Sequence, residues 1–330
     1  MSIDTEHNDM VNDIQLDYYG KRLATCSGDR TFRVYDVAGA TAATGPSVAS
    51  DADAAPLHVL QHVVQLPEDS SAPAQRLAWA HPKFGSLLAV ACQDGRVFVF
   101  REELPQGGGA GTTWVLKHVH AFHARSVLSI AWSPYEYGLC LASASADGQV
   151  SFLSRVREGW VTSASFVNTP DGAAVTAVSW APYNSLGSQG PHGPVQRVAT
   201  GSVNHAVQIW QSAESSQWTL AADSPVESHD DWVRDVSWAP NVGIPANMIA
   251  SGSDDHTVRV WSQDEAGGDW AMHVLHTFRA PVYRISWSLT GTVLSVAVGD
   301  DEVTFWKQAS ETAWVQLSSV NEHGAQVLSA

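Results

Sequence analysis

Positive charge is scarce in this chain. Its 18 lysines and arginines face 34 acids, for a formal net charge of −16. A surface that acidic repels phosphate backbones, which argues against general nucleic-acid binding, and it offers nothing to anionic lipid. Cysteine is rarer still: Cys26, Cys92 and Cys140 are the full complement in 330 residues. Three scattered thiols with no C-x-x-C pair support neither a disulfide framework nor a zinc site. They lie in small apolar runs, which suits buried free thiols and a reducing compartment. No run approaches the ~20 apolar residues of a membrane-spanning helix. The start, "MSIDTEHNDM", has neither a basic region nor an apolar core, so no signal peptide is expected. These absences lead to the expectation of a soluble, intracellular protein.

What the chain does have is a repeat. A small-residue strand, an Asp or Asn, and a β-rich run ending in a bulky residue recur as "LATCSGDRTFRVYD", "LAVACQDGRVFVF", "LASASADGQVSFL", "VATGSVNHAVQIW", "IASGSDDHTVRVW" and "LSVAVGDDEVTFW". The turn residues Asp29, Asp94, Asp147, Asn204, Asp255 and Asp300 each lie six positions before Tyr35, Phe100, Leu153, Trp210, Trp261 and Trp306. One offset kept through six copies is a strong periodic signal. Ahead of the turns stand Trp79, Trp132, Trp180, Trp238 and Trp287, with Leu16 in that place in the first copy. After the closing residue, Trp114, Trp160, Trp218, Trp270 and Trp314 each open another β-rich segment. Four short strands per repeat with tight turns between them follow from this pattern.

The four-strand unit with its turn Asp and closing aromatic resembles the WD-repeat β-propeller. The predicted fold is all-β, a single six-bladed propeller over residues 1–330. Its blades lie near 11–66, 74–119, 126–167, 174–223, 231–278 and 281–321. Turn residues 45 to 65 apart exceed the usual ~40–45 spacing, so insertions are required. The segments 38–56, 104–111 and 183–196, rich in Gly, Ala, Ser and Pro, read as surface loops.

Candidate chemistry resolves mostly into fold. In "SHDDWVRDVSWAP", adjacent Ser228, His229 and Asp230 cannot converge as a triad, because neighbours on an extended chain point to opposite sides. In WD repeats a His, a Ser or Thr, the turn Asp and the closing Trp form a structural hydrogen-bonded set, and His229, Ser251, Asp255 and Trp261 occupy those places. Elsewhere the set reads as incomplete; the third repeat has His123, Ser143 and Asp147 but closes on Leu153. His118, His120 and His123 are close enough to hold a metal, but a His-rich surface strand accounts for them. "QGGGAG" lacks the lysine and the strand-to-helix context of a phosphate loop. No cofactor, metal or catalytic residue is expected, and the protein is read as a non-enzyme.

The chain ends carry no exchanged strand. The first and last repeats each read as four strands of their own, so the ring is expected to be open, with an unclasped seam that offers strand edges to a partner. At this point the resemblance narrows. "DYYGKRLATCSGDRTFRVYDV", "LAWAHPKFGSLLAVACQDGRVFVFREE", "IAWSPYEYGLCLASASADGQVSFL" and "SHDDWVRDVSWAPNVGIPANMIASGSDDHTVRVW" resemble the WD-repeat subunit of the COPII vesicle coat, the Sec-thirteen family, along nearly the whole chain. That resemblance implies a scaffold in ER-to-Golgi transport and in the outer ring of the nuclear pore.

The implied partners are the large α-solenoid protein of the COPII outer coat and a solenoid nucleoporin, each supplying a seventh blade. A nutrient-signalling coat-like complex is a third. Localisation would be cytoplasmic at ER exit sites and COPII vesicles, and at the nuclear envelope, with membrane association through partners only. Candidates for the partner-blade seam are Ile14, Leu16, Tyr18, Val34 and Tyr35 in the first blade and Ile285, Trp287, Val303 and Phe305 in the sixth. The rival readings are the sister WD-repeat nucleoporin, of Seh-one type, and a propeller that reads peptides or modified lysines with exposed aromatics and acids.

Overall fold

The structure, a computed structural model, describes residues 4–37, 58–70, 72–105, 111–190, 193–213, 217–225, 228–242, 246–299, 301–310, 313–321 and 324–327. Among them are strands, turns and two short 3-10 turns, Pro82–Phe84 and Tyr135–Tyr137, with no α-helix. Six antiparallel sheets succeed one another along the chain as the blades of a β-propeller, and none joins strands from the two chain ends. The chain divides into two compact units, Met1–Trp132 and Ser133–Ala330.

In the first unit one sheet holds Val11–Leu16, Arg22–Ser27, Thr31–Val37 and His58–Gln65, and the next holds Ala74–Trp79, Leu87–Cys92, Val97–Glu103 and Thr113–His120. The third sheet begins with Val127–Trp132 and continues in the second unit with Cys140–Ser145, Gln149–Val156 and Gly159–Val167. The fourth comprises Val175–Trp180, Gln196–Ser202, Val207–Ser212 and Thr219–Leu220, and the fifth Val233–Trp238, Asn247–Ser253, Thr257–Gln263 and Ala271–Thr277. The sixth has Val282–Trp287, Val293–Val298, Glu302–Gln308 and Trp314–Asn321.

Burial explains the composition of each strand. Second strands such as Leu87–Cys92 and Asn247–Ser253 are buried at every position, so both of their faces are covered. The first is an unbroken apolar run, and the second has Asn247, Ser251 and Ser253 among its buried residues. The fourth strand His58–Gln65 alternates between half-buried and exposed, the pattern of a strand with one face in water. The small residues also let consecutive sheets approach closely. A Cβ at Gly252 would sit 2.6 Å from Cγ1 of Val282, the opening residue of the sixth sheet.

The turn residues act through their carboxylates or amide. The Oδ1 of Asp29, Asp94, Asp147, Asn204 and Asp255 accepts the amide N–H two residues on, at 2.9, 3.1, 3.0, 3.3 and 2.8 Å. The residue between is left-handed in each: Arg30, Gly95, Gly148, His205 and His256 have φ of 64°, 88°, 81°, 75° and 68°. At Gly95 a side chain is excluded outright, since a Cβ would lie 2.4 Å from the His123 carbonyl oxygen. Asp300 lies outside the described residues, as do 38–57 and 106–110, which cover the first inserted loop and most of the second.

The first strands tie successive sheets together. Those of the first, second, fourth, fifth and sixth sheets carry a bulge, between Val11 and Asp13, Ala74 and Arg76, Val175 and Ala177, Val233 and Asp235, and Val282 and Arg284. A bulge re-aims the side chains beside it. Asp13 accordingly accepts the Leu77 N–H at 2.9 Å, Arg76 donates to the Leu128 carbonyl at 2.9 Å, and Asp235 accepts the Ile285 N–H at 3.0 Å. The indoles complete the tie: Trp79, Trp132 and Trp287 donate Nε1–H to the carbonyls of Gln15, Ala78 and Ser237, at 3.2, 3.0 and 3.0 Å.

Two features depart from the sequence reading. Gly324–Val327 adds a fifth strand to the sixth sheet, pairing with Ser318–Asn321. The third insertion, read as an open loop, contains the strand pair Gln189–Gly190 and Gly193–Pro194. Both consist of strands of two to four residues, too short for periodicity to register.

The close approach at Gly252 predicts that Gly252→Ala lowers unfolding free energy by about 1–3 kcal/mol through overpacking. The double variant Gly252→Ala/Val282→Ala should regain part of that loss in urea titrations, a non-additivity that only direct contact produces.

Candidate partner interface

Two groups of residues bear on function: the polar sets inside the sheets and the apolar side chains left uncovered at the first blade. In the fifth blade Trp261 donates Nε1–H to Ser251 Oγ at 2.9 Å. Ser251 Oγ–H reaches His229 Nε2 at 2.7 Å, and His229 Nδ1–H reaches Asp255 Oδ2 at 2.8 Å. Because Trp261 only donates and the carboxylate only accepts, the chain of donors runs one way and fixes the neutral Nδ1–H tautomer. Burial holds the His229 pKa below its ordinary value, against the pull of Asp255. Burial pushes the Asp255 carboxyl up, but hydrogen bonds from His229, Thr257 and the Asp230 amide outweigh it and leave the pKa well below the usual carboxylate range.

An Asp–His–Ser relay is therefore present in space, though not from the adjacent residues 228–230. Ser251 is fully buried and His229 nearly so, and the serine oxygen already holds the indole. A catalytic serine must meet its substrate; this one is enclosed and holds strands together.

The first blade carries a set that sequence reading missed. His7 Nδ1 lies 2.9 Å from Asp29 Oδ2 and Nε2 lies 2.8 Å from Thr25 Oγ1. Tyr35 replaces the tryptophan and donates instead to the Thr5 carbonyl at 2.6 Å. The signal was there in "HND" at 7–9 against "HDD" at 229–231, hidden by the polar start. In the second blade Ser70 and Arg96 hold Asp94, at 3.2 and 2.8 Å, with no histidine in the set. His120 is buried against His123 and Phe122, and burial lowers its pKa to about 4. Among the described residues no three His, Cys, Asp or Glu side chains cluster to hold a metal.

The nine seam candidates divide by strand parity. The Asp13 carboxylate faces the second sheet, and alternation along the strand puts Ile14 and Leu16 on the opposite face, 50% and 56% exposed. Their register positions are those of Leu77 and Trp79, which pack against the preceding sheet; the first blade has no preceding sheet in the chain. Tyr18, 61% exposed, stands apart in the following turn, edge-on to His81 at 4.8 Å and Tyr19 at 5.2 Å. With Tyr19, Arg22, Trp79 and Pro82 it lines a small cleft. Val34 is buried in the cluster shared by the first two sheets, and Tyr35 is buried on the other face.

In the second unit Ile285 and Trp287 pack into the cluster formed with Ala250 and Val258 of the fifth sheet. Val303 and Phe305 are half-buried and alternate with Thr304 and Trp306, so they occupy the other face. Parity thus puts four of the candidates on faces that the neighbouring sheet of their own unit does not cover, Ile14, Leu16, Val303 and Phe305, while Tyr18 lies in a turn.

Comparison with known proteins agrees with this architecture. The WD domain, G-beta repeat model matches residues 2–36, 114–152 and 223–262. The chain is 38% identical to "Protein transport protein SEC13" of Cryptococcus neoformans, covering 96% of each chain. It is 36% identical to "Protein SEC13 homolog" of Drosophila melanogaster over 96% of this chain and 82% of that one. Identity to the Mycosarcoma maydis protein of the same name as the first is 35%, over 97% and 94%. The chain belongs to the SEC13 family. Within a SEC13-family propeller, the buried sets at His7 and His229 and the indole ties are the parts that stiffen the blades, and the uncovered strand at Ile14 and Leu16 is the part that differs from blade to blade.

The enclosed relay gives a signed pH prediction. His229 folds neutral with a depressed pKa, so the stability it carries is full above about pH 6.5 and declines as pH falls below it. Asp255 adds a term present above about pH 3.9 and lost below. His229→Phe should flatten the decline between about pH 6.5 and 5 in urea titrations. Ser251→Ala should cost about 1–3 kcal/mol at neutral pH by leaving the Trp261 N–H unpaired.

Proposed function

We propose that this SEC13-family chain is a non-catalytic scaffold subunit of protein transport: a rigid propeller whose function lies in the larger chains it holds. The observation that carries the reading is the first blade's own first strand. In five repeats the tryptophan position faces back onto an earlier sheet; in the first it is Leu16, which has no N–H to donate and stands more than half exposed beside Ile14. An unpaired strand edge with apolar side chains is a template for strand addition.

The partner is an α-solenoid protein that contributes β structure to this strand, covering Ile14 and Leu16 and satisfying the strand's free backbone groups together. The family resemblance supports the COPII outer-coat solenoid, acting at ER exit sites, and a solenoid nucleoporin of the pore outer ring at the nuclear envelope. A nutrient-signalling coat-like complex is the third candidate. Membrane association is indirect, through these partners. Tyr18 extends the proposed contact within its own unit, and Val303 and Phe305 are proposed as a separate contact in the unit Ser133–Ala330.

Burial of Ile14 and Leu16 by a partner predicts that Ile14→Glu/Leu16→Glu abolishes co-purification of the large solenoid protein from lysate, while circular dichroism and melting temperature stay near wild type. Val34→Glu, placed in a fully buried site, should unfold the protein instead. Retention of the solenoid by the double variant, identified by mass spectrometry, would move the contact elsewhere.

A further inference from the structure

A second exposed surface lies in unit 133–330, at the end of the blades where the first strands start and the second strands turn into the third. Trp232 immediately precedes Val233–Trp238 and is 46% exposed; Tyr283, near the start of Val282–Trp287, is 52% exposed. Between them is Arg234, its guanidinium carbon 5.3 Å from the Trp232 ring centre and 6.0 Å from that of Tyr283. Arg234 and Tyr283 are the extra residues of their strand bulges. At the matching bulges Asn12 and Thr176 turn to the next sheet and donate to the carbonyls of Ala74 and Val233, at 2.7 and 2.5 Å. In the fifth and sixth blades the bulge presents a guanidinium and a phenol ring to solvent instead.

The three planar groups are held in place. Arg234 binds Asp254 with Nε to Oδ1 at 2.7 Å and an amino nitrogen to Oδ2 at 2.5 Å. The Trp232 N–H donates to Asp231 Oδ1 at 2.7 Å and its carbonyl accepts the Asp254 N–H at 2.9 Å. The Tyr283 ring lies over Gly299, where a Cβ would come within 3.1 Å of Cε2. An aromatic surface fixed before binding loses little freedom when a ligand arrives.

Charge selects the ligand. The Arg234 cation is matched by Asp254, so the stack itself is close to neutral. Beside the indole stand Asp230, with an 89% exposed side chain, and exposed Asp231. Arg259 is 3.5 Å from Asp230, but it lies equally close to Asp255 and donates to the Ser228 carbonyl, and Arg284, next to Tyr283, is 3.9 Å from Asp235. Five carboxylates (Asp230, Asp231, Asp235, Asp254 and the enclosed Asp255) thus stand against three guanidiniums (Arg234, Arg259, Arg284), on a protein of formal charge −16. An exposed indole face beside unbalanced carboxylates matches a planar cation that stacks and donates in a fork, which is arginine rather than lysine.

We propose that the Trp232–Arg234–Tyr283 platform docks an arginine side chain in a basic segment of a partner protein. The platform shares no residue with the proposed solenoid contact on the first blade, so either can fail without the other.

The test uses the full chain and a fluorescein-labelled nonapeptide with three arginines spaced by Gly and Ser, followed by fluorescence anisotropy at about 100 mM salt, where long-range attraction is largely screened. The arginine peptide should bind, its lysine counterpart more weakly and its citrulline counterpart not at all. Trp232→Ala leaves the net charge untouched and should weaken binding about tenfold or more. Should that variant melt early, Asp230→Asn/Asp231→Asn decides, compared with Glu68→Gln/Glu158→Gln, which removes the same charge at exposed sites elsewhere. The first pair should weaken binding by more than the second. No binding of the arginine peptide overturns the proposal. So does equal binding by the arginine and lysine peptides, by wild type and Trp232→Ala, or by the two charge-removed pairs.

Discussion

The contact on which this fold depends is the one between the first strand of each sheet and the sheet before it. Beside a bulge an acidic or basic side chain reaches the next sheet, as Asp13, Arg76 and Asp235 do. Three residues after Arg76 and Arg284 an indole reaches back to a carbonyl, Trp79 to Gln15 and Trp287 to Ser237. Apolar packing alone would let two faces slide. The hydrogen bonds fix their register, and the small second strands allow the approach that makes those bonds short enough. Glycine at 252 and the tryptophans therefore belong to one device, since closing the gap with a Cβ would carry the indole out of reach.

Much of this was legible because the device repeats. Turn aspartates six residues from a bulky closing residue, and tryptophans ahead of them, mark strand ends wherever they occur, so six sheets could be read from spacing. Face was harder. Ile285 and Trp287 looked like seam residues because they are apolar and terminal, yet their register is that of Val236 and Trp238, which pack on the preceding sheet. Counting parity from the bulge would have separated them from Val303 and Phe305. The buried pair Arg197 and Asp223, bidentate at 2.7 and 2.6 Å and joined by Gln263 at 2.7 Å, was invisible for another reason. Its members are 26 and 40 residues apart, with no periodic mark. The Trp232 platform escaped notice because exposure cannot be read from residue type; in sequence its tryptophan is one of 14.

The polar interior shows how the propeller tolerates so much buried hydroxyl and imidazole. The set in the fifth blade is a one-way chain of donors ending on the Asp255 carboxylate, which also accepts the amide that makes its turn. Desolvation alone would push Asp29 and Asp255 toward the neutral acid; the converging N–H and O–H groups reverse that. The cysteines have no such donors in number. Burial, the main influence, raises Cys92 to about 12 and Cys140 to about 11, which leaves them as thiols with little nucleophilic character.

The consecutive order of strands within each sheet has a consequence in time. No sheet among the described residues waits for a strand from the far end of the chain, so native contacts are local in sequence and loop-closure entropy is small at each step. At synthesis rates of roughly 5–20 residues per second, the first sheet is complete many seconds before the sixth is translated. The strand bearing Ile14 and Leu16 thus belongs to a sheet that can form while the five that follow it are still being made.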